Sequence, residues 1–201
     1  MVQNMKEELN FTNAEDGLSE GEQMQSPDIL LIGNAGLCLL APWFPKLFEL
    51  LGYLNEDKKD FKDTASKVRA VFLLQYLTCS EEKKYRETEL AFNRLLVSLP
   101  MHIPLPESLD LTDKEKQTAE SLLGAVKASW QAMGGTSVKG FQVTFILRTG
   151  RLEQQEEKWL LTVDNKTIDI LLDTVRWGFK QIRFPWLKKY VQVVWHEKQE
   201  F

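Results

Sequence analysis

An almost unbroken apolar stretch, Ile32–Gly52 (IGNAGLCLLAPWFPKLFELLG), most strongly limits what this chain can fold into. Its uninterrupted apolar part is shorter than the ~20 residues that a helix needs to cross a bilayer. Asn34, Pro42 and Pro45 also interrupt the stretch. We therefore expect no membrane span, and we predict that the stretch lies in the core of a folded domain.

Two glycines near the start of this stretch, Gly33 and Gly36, raise the question of a phosphate-binding loop. The third glycine, the lysine and the preceding strand that such loops use are not found in the sequence. We predict instead that these glycines let another backbone approach closely or bend a helix. Asn34 between them is expected to cap a helix or to bond a neighbouring carbonyl. No cofactor is expected here.

The charges are unevenly distributed along the 201 residues. The net charge is −4, and residues 1–25 alone hold six acidic residues and one lysine, which leaves the remainder close to neutral. Nothing in this balance indicates binding to nucleic acid or to a membrane surface. Residues 1–26 contain few large apolar residues and are predicted to form an acidic flexible tail or linker, mobile and dispensable for folding. Residues 27–201 are predicted to form a single globular domain.

Helical signals dominate the first two thirds of the chain. A helix is predicted over Asp28–Leu40, with an interruption at residues 41–45, where the prolines lie, and a second short helix over Lys46–Leu51 that Gly52 ends. A further helix, capped by Asp63 or Thr64, contains the run Ala70–Leu77 (AVFLLQYL), which is apolar nearly all round, so this all-apolar helix, as we call it, belongs in the middle of a core. Two more helices are predicted over residues 90–99 and, from a capping box of Thr112 with Glu115, over residues 113–133.

The packing of these helices can also be predicted. The apolar stretch is expected to contact the all-apolar helix, through Leu37, Leu40, Trp43, Phe44 and Phe48 on one side and Phe72, Leu73 and Tyr76 on the other. The apolar surface that remains is either covered by the rest of the same domain or exposed as a patch for another subunit.

The last fifty residues have the character of a small sheet. Lys158–Val163 is predicted to be a strand, Thr167–Leu172 a short helix, and Gly178–Phe184 and Tyr190–Trp195 an antiparallel pair. The period of Val138–Arg148 fits a strand and a helix equally well. The predicted fold class is therefore α+β, a mostly α-helical domain with a small antiparallel β-sheet near the C-terminus.

Catalytic and metal-binding patterns are not found in the sequence. The two histidines, His102 and His196, have no nucleophile or paired carboxylate at a suggestive spacing. Cys38 and Cys79 are predicted to be buried reduced thiols, and a zinc site is not expected. Glu153, Glu156 and Glu157 are interpreted as a solvated turn before the first strand. No enzyme activity is expected.

The segment RWGFKQIRFPWLKK, residues 176–189, combines five cations with four aromatic residues and no acid. Such a mixture can bind single-stranded nucleic acid by stacking and charge. A sheet with a buried aromatic face and a solvated basic face is favoured, because the domain as a whole is not basic. An acidic protein partner is a third alternative. The candidate partner-binding residues are Trp43, Phe44, Arg176, Lys180, Arg183, Lys188 and Lys189.

Four segments together resemble the tape measure protein family of bacterial contractile injection systems. They are Ile32–Leu54, Arg69–Leu77, Glu89–Pro100 and Trp159–Leu187, and the likeness extends from about Asp28 to Trp195. The resemblance implies a part of a phage-tail-like particle with a sheath, an inner tube, a baseplate and a spike. It implies a structural assembly protein that sets tube length from inside the tube, without catalytic residues or cofactors. Its expected partners are tube, baseplate or spike components, with a homo-oligomer left open, and its expected location is the cytoplasm.

The length of the chain departs from what a molecular ruler requires. Even 201 fully helical residues would span only ~300 Å, and the predicted domain is compact. The chain is therefore expected to be an excised terminal domain or a short relative with an anchoring role. A general protein-binding adaptor is the alternative function, and an enzyme whose site the sequence does not reveal is a third.

Overall fold

A computed structural model describes residues 29–196. The predicted acidic tail, residues 1–26, lies outside the described residues. Five strands are described: β1 (Ile29–Ile32), β2 (Gly150–Gln154), β3 (Lys158–Val163), β4 (Gln181–Ile182) and β5 (Tyr190–Val194). The α-helices are α1 (Phe44–Leu50), α2 (Thr64–Cys79), α3 (Ala91–Leu96), α4 (Asp113–Ser129) and α5 (Val138–Phe141). Short 3₁₀ helices occupy Ala35–Leu39, Ala41–Trp43, Glu87–Leu90, Gln131–Met133 and Thr167–Thr174, and a π-helical turn, Gln142–Ile146, continues α5.

The five strands form one sheet in the order β1-β2-β3-β5-β4. The prediction of an α+β fold is confirmed, but the prediction of a purely antiparallel sheet is wrong, because β3 and β5 are parallel. A parallel pair needs a long crossover, and the connection from Val163 to Tyr190 supplies one that contains the Thr167–Thr174 helix. Within this connection β4 turns back and pairs antiparallel with β5, as predicted.

The predicted helix over Asp28–Leu40 is wrong. The described part of this segment is strand β1 followed by the 3₁₀ helix Ala35–Leu39. A strand therefore does precede the two glycines, although the other features of a phosphate loop remain absent from the sequence. The prolines do not interrupt a helix either, because each lies in the first turn of a new one, where a missing amide hydrogen leaves no bond unmade.

The core is built around α2, as the nearly all-apolar run Ala70–Leu77 predicts. Every residue of Ala70–Leu77 is buried, and α2 packs against α3, α4, the π-helical turn and the 3₁₀ helix Ala35–Leu39. Its first turn is capped by Asp63, whose Oδ1 accepts a 2.7 Å hydrogen bond from the Ser66 amide. The all-apolar run and the cap are thereby confirmed.

The apolar stretch Ile32–Gly52 is covered by its own domain. Leu37, Leu40, Phe44 and Phe48 are buried, whereas Leu50 is exposed. The 3₁₀ helix Ala35–Leu39 packs on α2 as expected, while α1 packs on α4. The ring of Phe44 also lies 6.3 Å from that of Phe184, and the ring of Phe48 lies 6.0 Å from that of Trp186.

The capping box of α4 is confirmed. The Thr112 amide donates a 2.7 Å hydrogen bond to Oε2 of Glu115, and the Glu115 amide donates to Oγ1 of Thr112 at 3.3 Å. The helix ends at Ser129, four residues before the predicted end. Trp130 leaves the helical path and is buried, with its indole nitrogen donating to Oγ1 of Thr174 at 2.7 Å.

A close approach of two backbones explains one of the glycines in the opening stretch. A Cβ atom on Gly36 would lie 1.7 Å from the carbonyl oxygen of Phe145, in the π-helical turn. Only glycine fits at this contact, as the prediction of a close backbone approach requires. Asn34 makes no side-chain cap to the 3₁₀ helix that follows it. Its amide nitrogen instead joins this segment to α2 and α3, donating to the side-chain oxygens of Gln75, at 3.2 Å, and Asn93, at 2.7 Å.

Candidate interaction surface

The two aromatic candidates, Trp43 and Phe44, occupy different environments. Phe44 is fully buried and belongs to the core. Trp43 keeps a partly exposed side chain and packs edge-on against Trp177, with ring centroids 5.0 Å apart. The indole nitrogen of Trp177 donates to the carbonyl oxygen of Leu39 at 3.0 Å, which fixes this aromatic pair to the apolar stretch.

The five cationic candidates lie around β4 and its connections. Arg176, Lys180, Arg183 and Lys188 are exposed, and Lys189 is half-buried. The Arg183 guanidinium lies 4.0 Å from the ring centroid of Tyr190. The ammonium groups of Lys180 and Lys189 donate to backbone carbonyls, of His196 at 3.4 Å and of Gln155 at 2.8 Å. None of the five takes part in the ion pairs between described residues.

Three aromatic residues of the segment 176–189 point inward, away from the cations around β4. Phe179, Phe184 and Trp186 are buried, and the Trp186 indole donates to the carbonyl oxygen of Leu96 at 2.9 Å. Binding of single strands by stacking requires exposed aromatic rings. These three rings are not available for it, so the arrangement favours the interpretation of a buried aromatic side and a solvated basic side.

One face of the sheet is packed on the helices and the other is open in the described part of the chain. The packed face carries the buried residues Leu152, Leu161, Val163, Val191, Val193 and Ile182. Side chains alternate between faces along each strand, so the residues between them form the opposite face, which we call the outer face. It consists of Ile29, Leu31, Arg151, Glu153, Lys158, Leu160, Thr162, Gln181, Tyr190, Gln192 and Val194, all half-buried or exposed.

Strand β1 forms an apolar edge of this outer face. It pairs with β2 and ends the sheet on that side. Ile29 is 52% exposed and Leu31 is 76% exposed. An unpaired strand edge with large aliphatic side chains is a template for another segment to pair with. Sequence reasoning missed it by extending a helix over ILLI, although the isoleucines at both ends and the following Gly33 are typical of a short strand.

A buried ion pair holds the helical layer to the C-terminal part of the sheet. Nη1 and Nη2 of Arg148 lie 2.7 Å from the two carboxylate oxygens of Asp169, and both side chains are 0% exposed. The Trp195 indole also donates to Asp169, at 3.0 Å. Burial raises the pKa of Asp169, but the hydrogen bonds from Arg148, from the Lys166 amide and from Trp195 outweigh it and lower this pKa below its usual value. The sequence gives no spacing signal for this pair.

A second polar cluster joins α2 to α4. Nε of Arg69 donates to Glu115 at 2.6 Å, and the Tyr53 hydroxyl donates to the same oxygen. Burial raises the pKa of Glu115, but the hydrogen bonds from Arg69, Tyr53 and Thr112 are stronger and lower it to about 2. This carboxylate therefore serves the packing of two helices in addition to the predicted capping box.

Groups with catalytic potential are few and scattered. His102 lies in an exposed loop, and Nε2 of His196 lies 3.7 Å from the carboxylate of Asp173. Cys38 and Cys79 are free and buried, and burial raises the pKa of Cys38.

Within residues 29–196 no cluster of histidine, cysteine and acidic side chains could hold a metal ion. In the same range no helix is long and apolar enough to span a membrane. The acidic residues Glu156 and Glu157 lie in the β2–β3 turn as expected, but Glu153 lies within β2.

Comparison with known families decides the identity of this architecture. The family model described as contractile injection system tape measure protein matches residues 2–195. The chain belongs to this tape measure protein family. The resemblance of the four segments is confirmed, and the match begins at residue 2, so it includes most of the acidic segment as well as the described residues up to 195. Comparison with curated proteins and with solved structures found no match to the chain.

Membership of the tape measure family makes this protein a component of a contractile injection particle. Because the family is structural, the exposed surfaces of the protein are expected to contact other particle components. In the described residues the exposed features that could make such contacts include the cations around β4, the partly exposed Trp43, and the outer face with its apolar edge.

Proposed function

We propose that this tape measure protein is a non-enzymatic assembly component whose domain, residues 27–201, anchors the protein to the particle and does not itself measure the tube. The observation that carries the proposal is the compactness of the described fold. Its longest helix, α4, has 17 residues, which corresponds to ~26 Å at ~1.5 Å per residue. A molecular ruler must extend along the whole tube, and no element within residues 29–196 is long enough to do so.

The sheet topology supports the same conclusion. Ile29 pairs with Glu153, and β3 pairs with β5, so the two ends of the described chain lie in one sheet. Stretching the domain along a tube lumen would require these long-range pairs to break, along with the core around α2. A unit of this kind is suited to docking against a surface.

The proposed partners are inner tube, baseplate or spike components that present an acidic surface, met during assembly in the cytoplasm. Support comes from the cations around β4, which are exposed except for the half-buried Lys189 and point away from the buried aromatic rings of the same segment. Charge complementarity of this kind contributes to the rate and specificity of association.

Charge reversal tests this surface. We expect the combined variant Lys180→Glu, Arg183→Glu and Lys188→Glu to keep its melting temperature and to bind purified particles about tenfold more weakly or worse, because three exposed charge contacts of ~0.5 kcal/mol each are replaced by repulsion. The measurement is co-sedimentation with particles as a function of salt concentration. The loss should be largest at low salt, where screening is weakest.

The matched control reverses three exposed lysines elsewhere, Lys59, Lys62 and Lys114. It changes the net charge by the same amount and should bind normally. Equal weakening by both variants would show that only the total charge matters. Unchanged binding by the first variant would show that the cations around β4 do not contribute to the interface. Salt-sensitive binding of the unmodified protein to single-stranded nucleic acid would instead favour the interpretation that this segment binds nucleic acid by stacking.

A further inference from the structure

A pocket of about 460 Å³ opens between the end of the 3₁₀ helix Thr167–Thr174 and the segment that leads into β4. We call it the β4 pocket. Its apolar lining includes Val175, Trp177 and Phe179, and its polar lining consists of Asp173, Lys180 and His196. Pockets that bind ligands usually combine apolar walls with a few polar groups and have volumes of ~300–1,000 Å³. The β4 pocket lies at the lower end of this range, so a single large side chain suits it.

The aromatic side chains of this pocket are held in place by their neighbours. The Trp177 indole nitrogen donates to the carbonyl oxygen of Leu39 at 3.0 Å, and its ring meets that of Trp43 edge-on, with centroids 5.0 Å apart. The ring of Phe179 meets that of Trp195 edge-on at a centroid distance of 6.2 Å. A pocket whose walls are already fixed loses little conformational entropy when a ligand enters it. The β4 pocket is therefore pre-organised for binding.

Lys180 connects the pocket to the cations around β4, because it belongs to both. Its ammonium group donates to the carbonyl oxygen of His196 at 3.4 Å. Since an ammonium group has three donors, it can bind a carboxylate as well. Asp173, the acid among the lining residues, lies 3.7 Å from Nε2 of His196. An incoming carboxylate is therefore expected to bind at Lys180, on the side of the pocket away from Asp173.

An aromatic side chain is the occupant that this lining favours. Aromatic rings pack well edge-on or offset against other aromatic rings, and aromatic anchors that fill pockets dominate the energetics of many protein interfaces. A nucleobase is disfavoured, because base stacking needs an open aromatic face, whereas Phe179 is buried and Trp177 is half-buried. The net charge of −4 also disfavours nucleic acid as the partner.

We propose that the β4 pocket receives an aromatic side chain of a protein partner, and that a carboxylate next to that side chain binds Lys180. The inference rests on the proposed function, in which an acidic surface of a particle component meets the cations around β4, and it specifies that surface further. Exposed ion pairs contribute little affinity on their own. A desolvated aromatic anchor surrounded by such pairs supplies affinity and fixes where the partner docks.

Titration of the full chain with indole-3-acetate tests the pocket directly, because this probe joins an aromatic ring to a carboxylate. We expect the backbone amides of Gly178, Phe179 and Lys180 to shift saturably in amide NMR spectra, whereas acetate alone should cause no saturable shift. Lys180→Ala should weaken binding of the probe about two- to fivefold, as expected for one exposed ion pair. Absence of a saturable shift at these amides would overturn the inference. Tighter binding of adenosine monophosphate would also overturn it, by assigning the pocket to a nucleotide.

A glycine in the lining, Gly178, allows the pocket to be filled without strain. No heavy atom lies within 4 Å of the position that its Cβ would take. We therefore expect Gly178→Leu to keep the melting temperature of the unmodified protein. The leucine side chain occupies space that the aromatic ring needs, so binding of indole-3-acetate, and of particles in co-sedimentation, should weaken about tenfold or more.

The matched control is Gly135→Leu, which also has no heavy atom within 4 Å of its Cβ position but lies outside the pocket lining. It should bind the probe and the particles normally. Equal weakening by both variants would overturn the inference, and so would particle binding that Gly178→Leu leaves unchanged. The proposed function would survive either result if charge reversal at Lys180, Arg183 and Lys188 still weakened particle binding, so the two failures are distinguishable.

Discussion

Replacing Arg148 by methionine is expected to destabilise the protein by about 3–5 kcal/mol. The substitution leaves the carboxylate of Asp169 fully buried without its ionic partner, and both side chains are inaccessible to solvent. A loss of this size is a large part of the ~5–15 kcal/mol that stabilises a typical domain. Chemical denaturation followed by tryptophan fluorescence measures it directly, because Trp195 reports on the same cluster.

The control for this prediction removes the charge on both sides. The double variant Arg148→Met/Asp169→Asn keeps an acceptor for the Trp195 indole and no longer buries a lone charge. It should therefore recover part of the lost stability, and the two substitutions should be strongly non-additive. If Arg148→Met alone cost less than ~1 kcal/mol, the pair would behave like a surface ion pair and the buried arrangement would be contradicted.

Adding a single methyl group at Gly36 is expected to destabilise the protein by a similar amount. The new Cβ would lie 1.7 Å from the Phe145 carbonyl oxygen and 2.6 Å from the Cα of Ile146. Both are backbone atoms and cannot rotate away, so the 3₁₀ helix Ala35–Leu39 and the π-helical turn must separate. We expect Gly36→Ala to cost about 3 kcal/mol or more, at or above the upper end for overpacked sites, as measured by its melting temperature and denaturant midpoint.

Gly33→Ala provides the matched control within the same stretch. No heavy atom lies within 4 Å of the position that its Cβ would take. Its stability should stay within ~0.5 kcal/mol of the unmodified protein, as for ordinary surface positions. Similar losses at both positions would mean that backbone freedom, and not the contact with Phe145, explains the glycines.

The elements that could be predicted from the sequence are those whose signals are local. The all-apolar run of α2, the Asp63 cap and the capping box at Thr112 each depend on a few neighbouring residues. Strand β3 was predicted with its observed bounds, because KWLLTV has a strand composition and is followed by a turn.

The elements that could not be predicted depend on distant partners. Strand β1 is only four residues long, and its pairing partner lies some 120 positions further along the chain. Strand β2 contains Gly150, Arg151 and Glu153, which are not typical strand residues, and its strand conformation is stabilised by pairing on both sides. The order of the strands along the chain also did not indicate that β3 and β5 are parallel.

The candidate interaction surface likewise has one part that could be predicted from the sequence and one part that could not. Exposure of the cations around β4 was predictable, because charged side chains remain in water unless they are paired. The apolar edge at Ile29 and Leu31 was not, since its exposure follows from a sheet order that the sequence did not reveal. The burial of Phe44 likewise follows from α1 packing on α4 and on the aromatic side of the C-terminal segment.

The length of assembled tubes tests the central claim, that this tape measure protein anchors and does not itself measure, most directly. A helical spacer of ~40 residues inserted between Gly17 and Leu18 would add ~60 Å to a ruler, at ~1.5 Å per residue. Electron microscopy of particles assembled with the unmodified and the extended protein gives both length distributions. The anchoring account predicts that the two distributions coincide. Tubes longer by ~60 Å would contradict it and show that the chain itself sets the length.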